Sequence, residues 1–192
     1  MTLFPSARII SIAATQLLFG CAIAGSNQTA DPTRQQLADP NSGYALLYSI
    51  VSVQKNSDKI LIIRKVSPDV SALTKEISDL AGDLDTQLKQ LAKDDPSIKL
   101  DAVVLPTIEN RQRESAALER AKQFLAITGK PFERLLLLTE SGVLTTERHL
   151  TRVMGDEEKN PQRKIFWKNA QQQFDQIYAK LRALLESQYF TQ

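Results

Sequence analysis

The stretch "PDVSALTKEISDLAGDLDTQLKQLAK", residues 68–93, carries the clearest structural pattern in this chain. Its aliphatic residues recur at steps of three and four, which places them on one face of an α-helix. Ser67 is typical of a helix N-cap, and Pro68 suits the first helical position because no hydrogen bond is needed from its nitrogen. Pro96 predicts the end of the helix. The aliphatic stripe consists of Val70, Leu73, Ile77, Leu80, Leu84, Leu88 and Leu91.

The chain downstream of this stretch predicts three more long helices, each opened by a proline. The first covers residues 106–128 and is closed by Gly129, a residue that tolerates a left-handed C-terminal cap. The second covers residues 131–154, with Gly155 as its stop, and its apolar run at 135–138 predicts a central position. Asn160 and Pro161 open the last helix. Its stripe consists of Phe166, Ala170, Phe174, Ile177, Leu181 and Leu184.

Residues 44–65 fit two structures, because "YALLYSIVSV" and "KILIIRK" flank a polar segment. Their β-branched content allows a β-hairpin around residues 56–58. A helix fits as well, and we favour it because an isolated two-stranded hairpin is only marginally stable. The sequence therefore predicts an all-α fold over residues 44–192. Its architecture is an antiparallel bundle of four long helices plus one preceding helix.

The composition of the 192-residue chain is that of a globular protein, with 42% hydrophobic and 24% charged residues. The formal net charge is +2, and the basic and acidic residues are interspersed. Nucleic-acid binding is not expected, because no basic stripe stands out. The single cysteine, Cys21, cannot form an intramolecular disulfide, so the fold must depend on packing.

The first residues of the chain have the pattern of a secretory signal. Arg8 precedes an apolar run at residues 9–20, which is shorter than the roughly 20 residues that cross a bilayer. The run ends in Leu18-Phe19-Gly20-Cys21, which resembles the lipobox of bacterial lipoprotein precursors. This resemblance implies that residues 1–20 are a signal peptide cleaved between Gly20 and Cys21. It also implies that the Cys21 thiol carries a diacylglyceryl group and that the new amino terminus is acylated, for example with palmitate.

Residues 21–43 are rich in glycine, serine, asparagine and proline and lack periodic apolar residues, so we expect a lipidated, flexible tether. Two or more acyl chains at Cys21 would anchor the chain stably to a membrane. The lipobox resemblance implies a location in the bacterial cell envelope. Because Ala22 follows Cys21 where an aspartate would signal inner-membrane retention, it implies the periplasmic face of the outer membrane in a cell with two membranes.

His149 is the only histidine, and the face that it shares with Thr146 and Val153 is expected to point inward. A ferritin-like metal centre needs glutamates from two helices and two Glu-x-x-His motifs. The chain lacks that set, because Thr146 stands three residues before His149. The remaining metal or ligand hypothesis combines His149 with Glu140 and Glu133. A structural histidine bonded to a neighbour is the simpler interpretation, so we predict no metal and no cofactor.

No enzymatic motif is present. The chain has no Gly-x-Ser-x-Gly elbow, glycine-rich phosphate loop, Cys-x-x-Cys pair or dinucleotide fingerprint, so no catalytic residue is predicted and the protein is not expected to be an enzyme. Trp167 lies beside the stripe of the last helix and is the candidate exposed anchor for a partner, since tryptophan is enriched at binding hot spots.

Two functional hypotheses follow. The first is a membrane-anchored envelope lipoprotein whose non-enzymatic helical bundle acts as a scaffold or binds an envelope protein partner. The alternative is a ferritin-like bundle in the envelope that binds a metal or small ligand. The predicted bundle loosely resembles the uncharacterised helical lipoproteins of bacterial envelopes, which implies no particular activity.

Overall fold

The structure is a computed structural model that describes residues 40–101 and 107–190. These two stretches contain no β-strand, so the all-α helical bundle is confirmed and the hairpin alternative for residues 44–65 is wrong. A 3-10 turn, Ser57–Lys59, separates the first two helices. The helices are α1 (Pro40–Gln54), α2 (Ile60–Ile63), α3 (Pro68–Asp94), α4 (Thr107–Ala126), α5 (Gly129–Glu157) and α6 (Pro161–Gln188).

The first helix begins at Pro40, so residues 40–43 belong to the bundle and not to the predicted tether. Proline is tolerated in the first helical turn. This turn is packed, because Gly43 is buried and a Cβ atom added there would overlap the Met154 side chain. The rest of the predicted signal and tether, residues 1–39, lies outside the described residues.

Four helices enclose the core: α1, α3, α5 and α6. Helices α5 and α6 are joined by a short turn and run antiparallel, and they form the most extensive interface, while α1 packs between α3 and α5. Burial of aliphatic and aromatic surface supplies the main stabilisation of such a bundle. The largest side chains that are fully enclosed include Trp167, Tyr44, Phe132, Phe174, Leu84 and Leu144.

Helices α3 and α6 begin at Pro68 and Pro161, as the sequence predicts. The Asn160 side-chain oxygen accepts hydrogen bonds from the backbone nitrogens of Gln162 at 2.9 Å and Arg163 at 3.2 Å, so it caps α6. Ser67 occupies the N-cap position of α3, but its side chain makes no capping bond. Its backbone N–H instead donates to Glu133 Oε1 at 2.5 Å, which ties the start of α3 to α5.

Helix α5 is longer than predicted at both ends. It begins at Gly129, whose φ of 65° lies in the left-handed region that glycine adopts without a steric penalty. Gly155 does not stop the helix, because its backbone stays helical where Trp167 and Lys168 pack against it. The apolar run at 135–138 is not enclosed on all sides, since Leu138 is 44% exposed.

Helix α4 lies at the edge of the bundle. Its packing is mostly against α5, where the Phe124 and Phe132 rings meet edge to face at 5.7 Å between centroids. Arg64 Nη2 donates to the backbone oxygens of Phe124 at 3.2 Å and Leu125 at 2.9 Å, and so caps the C-terminus of α4. Among the described helices, none combines the length and apolar character needed to cross a bilayer.

Candidate functional site

A layer of polar side chains lies inside the apolar core, between α1 and α5. We define this acidic layer as Gln54, Glu140 and Glu147, whose exposed fractions are 6%, 4% and 0%. Charged residues are almost never enclosed to this degree unless they are paired. The acidic layer is therefore the most unusual chemical feature of the described core.

The acidic layer holds more hydrogen-bond acceptors than donors. Gln54 Nε2 donates to Glu140 Oε2 at 3.1 Å across the helix interface. Neither carboxyl oxygen of Glu147 has a hydrogen-bond partner in the described part of the chain, and Gln54 Oε1 also has none. Burying acceptors without donors costs free energy. Burial in this layer therefore favours the protonated form of the carboxyls.

Burial raises the pKa of Glu140 to about 7, although the hydrogen bond from Gln54 acts in the opposite direction. Burial also raises the pKa of Glu147 well above its ordinary value, and the negative charge of Glu140 adds to this effect. Gln54 lies close enough to lower the pKa of Glu147 in part, but no hydrogen bond of ordinary geometry joins them. The two carboxyls thus titrate as a coupled pair that retains protons near neutral pH.

Two other buried glutamates, Glu133 and Glu158, have hydrogen-bond donors that offset the cost of burying their charge. Glu133 accepts hydrogen bonds from the Ser67 backbone and from the Tyr189 hydroxyl at 2.5 Å. Glu158 accepts from the Tyr44 hydroxyl at 2.6 Å and pairs with Arg163 at 3.1 Å. Burial alone would raise the pKa of each carboxyl, but these donors outweigh it and hold each pKa below its usual value.

The predicted candidates for a ligand or metal site do not come together. His149 is exposed on the outer face of α5, where its Nδ1 lies 3.1 Å from Arg152 Nη2, so the expectation that it points inward is wrong. Glu133 is bound by Ser67 and Tyr189, whereas Glu140 lies in the acidic layer. Within residues 40–101 and 107–190, no group of three or more His, Cys, Asp or Glu is arranged to hold a metal.

Trp167 is not an exposed anchor, because its exposed fraction is 0%. Its ring packs against Tyr44 at 4.8 Å and against Phe166 at 5.1 Å between centroids. The prediction was wrong because α6 packs against both α5 and α3, and its buried face is therefore wider than a single stripe. Gly20 and Cys21, the predicted cleavage and lipidation residues, lie outside the described residues, so these assignments stay predictions.

Sequence reasoning missed Glu147 and Gln54. A signal was present, since Glu133, Glu140 and Glu147 recur at intervals of seven residues on α5. That interval is two helical turns, so the three side chains share one face with the buried Leu136 and Leu144. Glutamates that occupy positions of an apolar stripe indicate buried carboxyls, whereas isolated glutamates on a helix indicate a solvated face.

Helix α4 offers a second candidate site, of a different kind. We define the α4 surface as Ile108, Leu118 and Leu125, whose exposed fractions are 76%, 60% and 53%. Leu118 and Leu125 lie two turns apart and therefore share a face. A series of exposed aliphatic side chains on a helix at the edge of a bundle is typical of an interaction surface.

The chain matches no protein-family model, and neither curated proteins nor solved structures show significant similarity to it.

Proposed function

We propose that this chain is a lipid-anchored bacterial envelope protein whose helical bundle binds a protein partner through the α4 surface and catalyses no reaction. The observation that carries the proposal is the position of α4. Helices α1, α3, α5 and α6 enclose the core, and α4 adds a 20-residue helix outside it. Its exposed aliphatic side chains are available for a groove or a helix of a partner.

The attachment of α4 supports this role. Arg64 binds the carbonyl oxygens at the C-terminal end of α4, and the Phe124 ring contacts Phe132 at the same end. The aliphatic residues Ile108 and Leu118 lie further toward the N-terminus and stay exposed. A helix that packs through one face, where Ala117 is buried, presents its exposed face to a partner without loss of the bundle core. The acidic layer, by contrast, is enclosed and does not face solvent.

The Leu18-Phe19-Gly20-Cys21 motif supports the lipid anchor and the envelope location. Mass spectrometry of the chain isolated from its native membrane tests this part of the proposal. We expect a polypeptide that begins at Cys21 and carries a diacylglyceryl group on sulfur together with an amino-terminal acyl chain. An unmodified Cys21 thiol, or a chain that still begins at Met1, would contradict the anchor.

Site-specific photo-crosslinking in intact envelopes tests the role of α4. A crosslinking residue at Leu118 or Leu125 should capture the same protein, because both face one side of the helix. The matched control is Val153, which is 46% exposed on α5. We expect no capture from position 153, and we expect Leu118→Asp to abolish capture from position 125. Equal capture from all three positions, or none from α4, would overturn this function.

A further inference from the structure

The short helix α2 exposes aliphatic side chains between basic ones. Residues 59–65, "KILIIRK", contain three basic residues and no acidic residue. We define the α2 tip as Lys59, Ile62, Ile63 and Lys65. Ile62 is 83% exposed and Ile63 is 54% exposed, and both lysines are also exposed. Neither lysine forms an ion pair with any residue that the structure describes.

The α2 tip is held in place from both sides. Ile60 packs against the core, and the guanidinium of Arg64 bonds to the carbonyl oxygens at the end of α4. The same guanidinium lies 5.9 Å from the centroid of the Phe132 ring. Ile62 and Ile63 therefore project from an ordered segment.

The chemistry of the α2 tip fits a lipid surface better than a protein surface. Aliphatic side chains enter the boundary between headgroups and acyl chains, while adjacent lysines bind anionic headgroups. Lysine is depleted at protein–protein interfaces, so two exposed lysines beside the isoleucines favour an anionic lipid surface over a protein partner. A small apolar tip with a basic rim is sufficient for a second contact on a membrane to which the chain is already anchored.

The geometry of the anchor permits this contact. The α2 tip lies beyond the C-terminal end of α1, whereas the chain leads toward Cys21 from Pro40 at the other end. Helix α1 has 15 residues and a length of about 22 Å. Residues 22–39 can span up to about 60 Å when extended. We propose that the α2 tip inserts Ile62 and Ile63 into the anionic membrane that carries the lipid anchor, so that the bundle lies against the bilayer.

This inference rests on the proposed lipid anchor, and the experiment separates the two. The lipidated full chain with Ile62→Cys is labelled with an environment-sensitive fluorophore and reconstituted in vesicles of phosphatidylglycerol and phosphatidylethanolamine. Lipidation blocks Cys21, so the introduced thiol is the one that reacts. Position 62 is exposed, so the substitution does not disturb the core. The matched control is Val153→Cys, on α5 near the end of the bundle where Glu158 contacts Tyr44.

We expect the probe at position 62 to shift its emission to shorter wavelength and to be quenched by spin-labelled lipid. The probe at position 153 should keep its aqueous emission. In the chain with Lys59→Gln and Lys65→Gln, the docking equilibrium should weaken by about fivefold for each lysine. Lys75→Gln with Lys93→Gln removes the same charge from exposed positions of α3 and should have no effect.

An aqueous probe at position 62, or equal insertion at position 153, would overturn the proposal. Equal insertion into vesicles of phosphatidylcholine alone would also overturn it, because the lysines would then contribute nothing. Labelling of Cys21 would show a free thiol and would contradict the anchor only. A chain with Cys21→Ser and an amino-terminal histidine tag, tethered to nickel-chelating lipid in anionic vesicles, then tests the α2 tip, since a probe at position 62 that stays aqueous there rejects membrane insertion.

Discussion

Buried glutamates of this bundle differ in what donates hydrogen bonds to them. Glu133 and Glu158 each receive hydroxyl, backbone and cationic donors, and their pKa values are lowered. Glu140 receives one amide donor and Glu147 receives none, and their pKa values are raised. The same residue type therefore stabilises the fold as an anion at two positions and opposes folding as an anion at two others.

The raised pKa of Glu147 predicts a pH-dependent stability. The folded chain keeps a proton that the unfolded chain releases above about pH 4.5. The free energy of unfolding therefore falls by about 1.4 kcal/mol per pH unit from there up to the folded pKa. Glu147→Gln cannot ionise, so we expect it to raise this free energy at about pH 7.5, by at most about 4 kcal/mol, and to change it little at about pH 4.5. Urea unfolding at both pH values measures the difference.

Glu158→Gln is the matched control, because the pKa of Glu158 is lowered. Its contribution to stability is present above the ordinary pKa of a glutamate and is lost as the pH falls through the lowered value. We expect a loss of about 1–3 kcal/mol at neutral pH that shrinks on acidification. If Glu147→Gln destabilised the chain at neutral pH as Glu158→Gln does, the assignment of an uncompensated buried carboxyl would be wrong.

The sequence predicted some residue roles and missed others for a physical reason. The capping role of Asn160 is local, since its oxygen bonds to nitrogens two and three residues away, and it was predictable. The enclosure of Trp167 depends on Tyr44, which is far away in the chain. It was therefore not predictable from local sequence. Burial of Glu140 likewise depends on Gln54 from α1. Contacts of this range are set by the packing of whole helices.

At the scale of the element, two glycines allow close approach between helices in different ways. A Cβ at Gly43 would overlap Met154, whereas a Cβ at Gly155 would make ordinary contacts at 3.6 Å with Trp167 and Lys168. We expect Gly43→Ala to lower the free energy of unfolding by about 1–3 kcal/mol. We expect Gly155→Ala to raise it by about 0.5–1 kcal/mol, because alanine favours the helical backbone.

Thermal and urea unfolding of both glycine variants test this pair of expectations. Adding Met154→Ala to Gly43→Ala removes the overlapping side chain, so the double variant should lose less stability than the two single losses combined. Strict additivity would show that Gly43 and Met154 do not press against each other.

The attachment of α4 depends on Arg64. The guanidinium donates hydrogen bonds to two carbonyl oxygens at the helix C-terminus, where positive charge is favourable. Arg64→Ala should increase amide hydrogen exchange in the last turns of α4 severalfold and leave α3, α5 and α6 unchanged. Arg111→Ala, in the exposed first half of α4, is the control and should have no such effect. Unchanged exchange in α4 after loss of Arg64 would contradict this attachment.

Helix starts were predicted better than helix stops. Pro68 and Pro161 begin helices because proline fits the first turn wherever it occurs. Neither glycine acts as the predicted stop: α4 ends at Ala126, whereas Gly129 has a left-handed backbone and begins α5, and Gly155 keeps helical geometry under the packing of α6. A glycine alone does not indicate which of these backbones it will adopt.

At the scale of the whole molecule, the packing predicts two levels of stability. Helices α1, α3, α5 and α6 share one core, and α4 contacts mainly α5. The single tryptophan, Trp167, is enclosed in that core and reports its unfolding. We expect helical circular dichroism to fall at lower urea concentration than tryptophan emission changes, because α4 loosens first. Coincident transitions would show that α4 unfolds with the core.

The helical period was enough to predict the class of fold, because the apolar stripes of α3 and α6 extend over many turns. It was not enough to identify the outlying helix. The second half of α4 has Ala117, Phe124 and Leu125, which indicate a buried side, but Leu125 is 53% exposed. Whether a helix becomes part of the core depends on how much apolar surface the other helices already bury against one another.

The acidic layer also restricts how α1 and α5 can pair. In the observed arrangement, the Gln54 amide meets Glu140. If α1 slid along α5 by one turn, about 5.4 Å, the amide would leave Glu140, and a second enclosed carboxyl would lose its donor. Aliphatic side chains alone would tolerate such a shift far better, since their attraction is non-directional. The acidic layer therefore lowers the stability of the bundle and fixes the register in which the two helices pair.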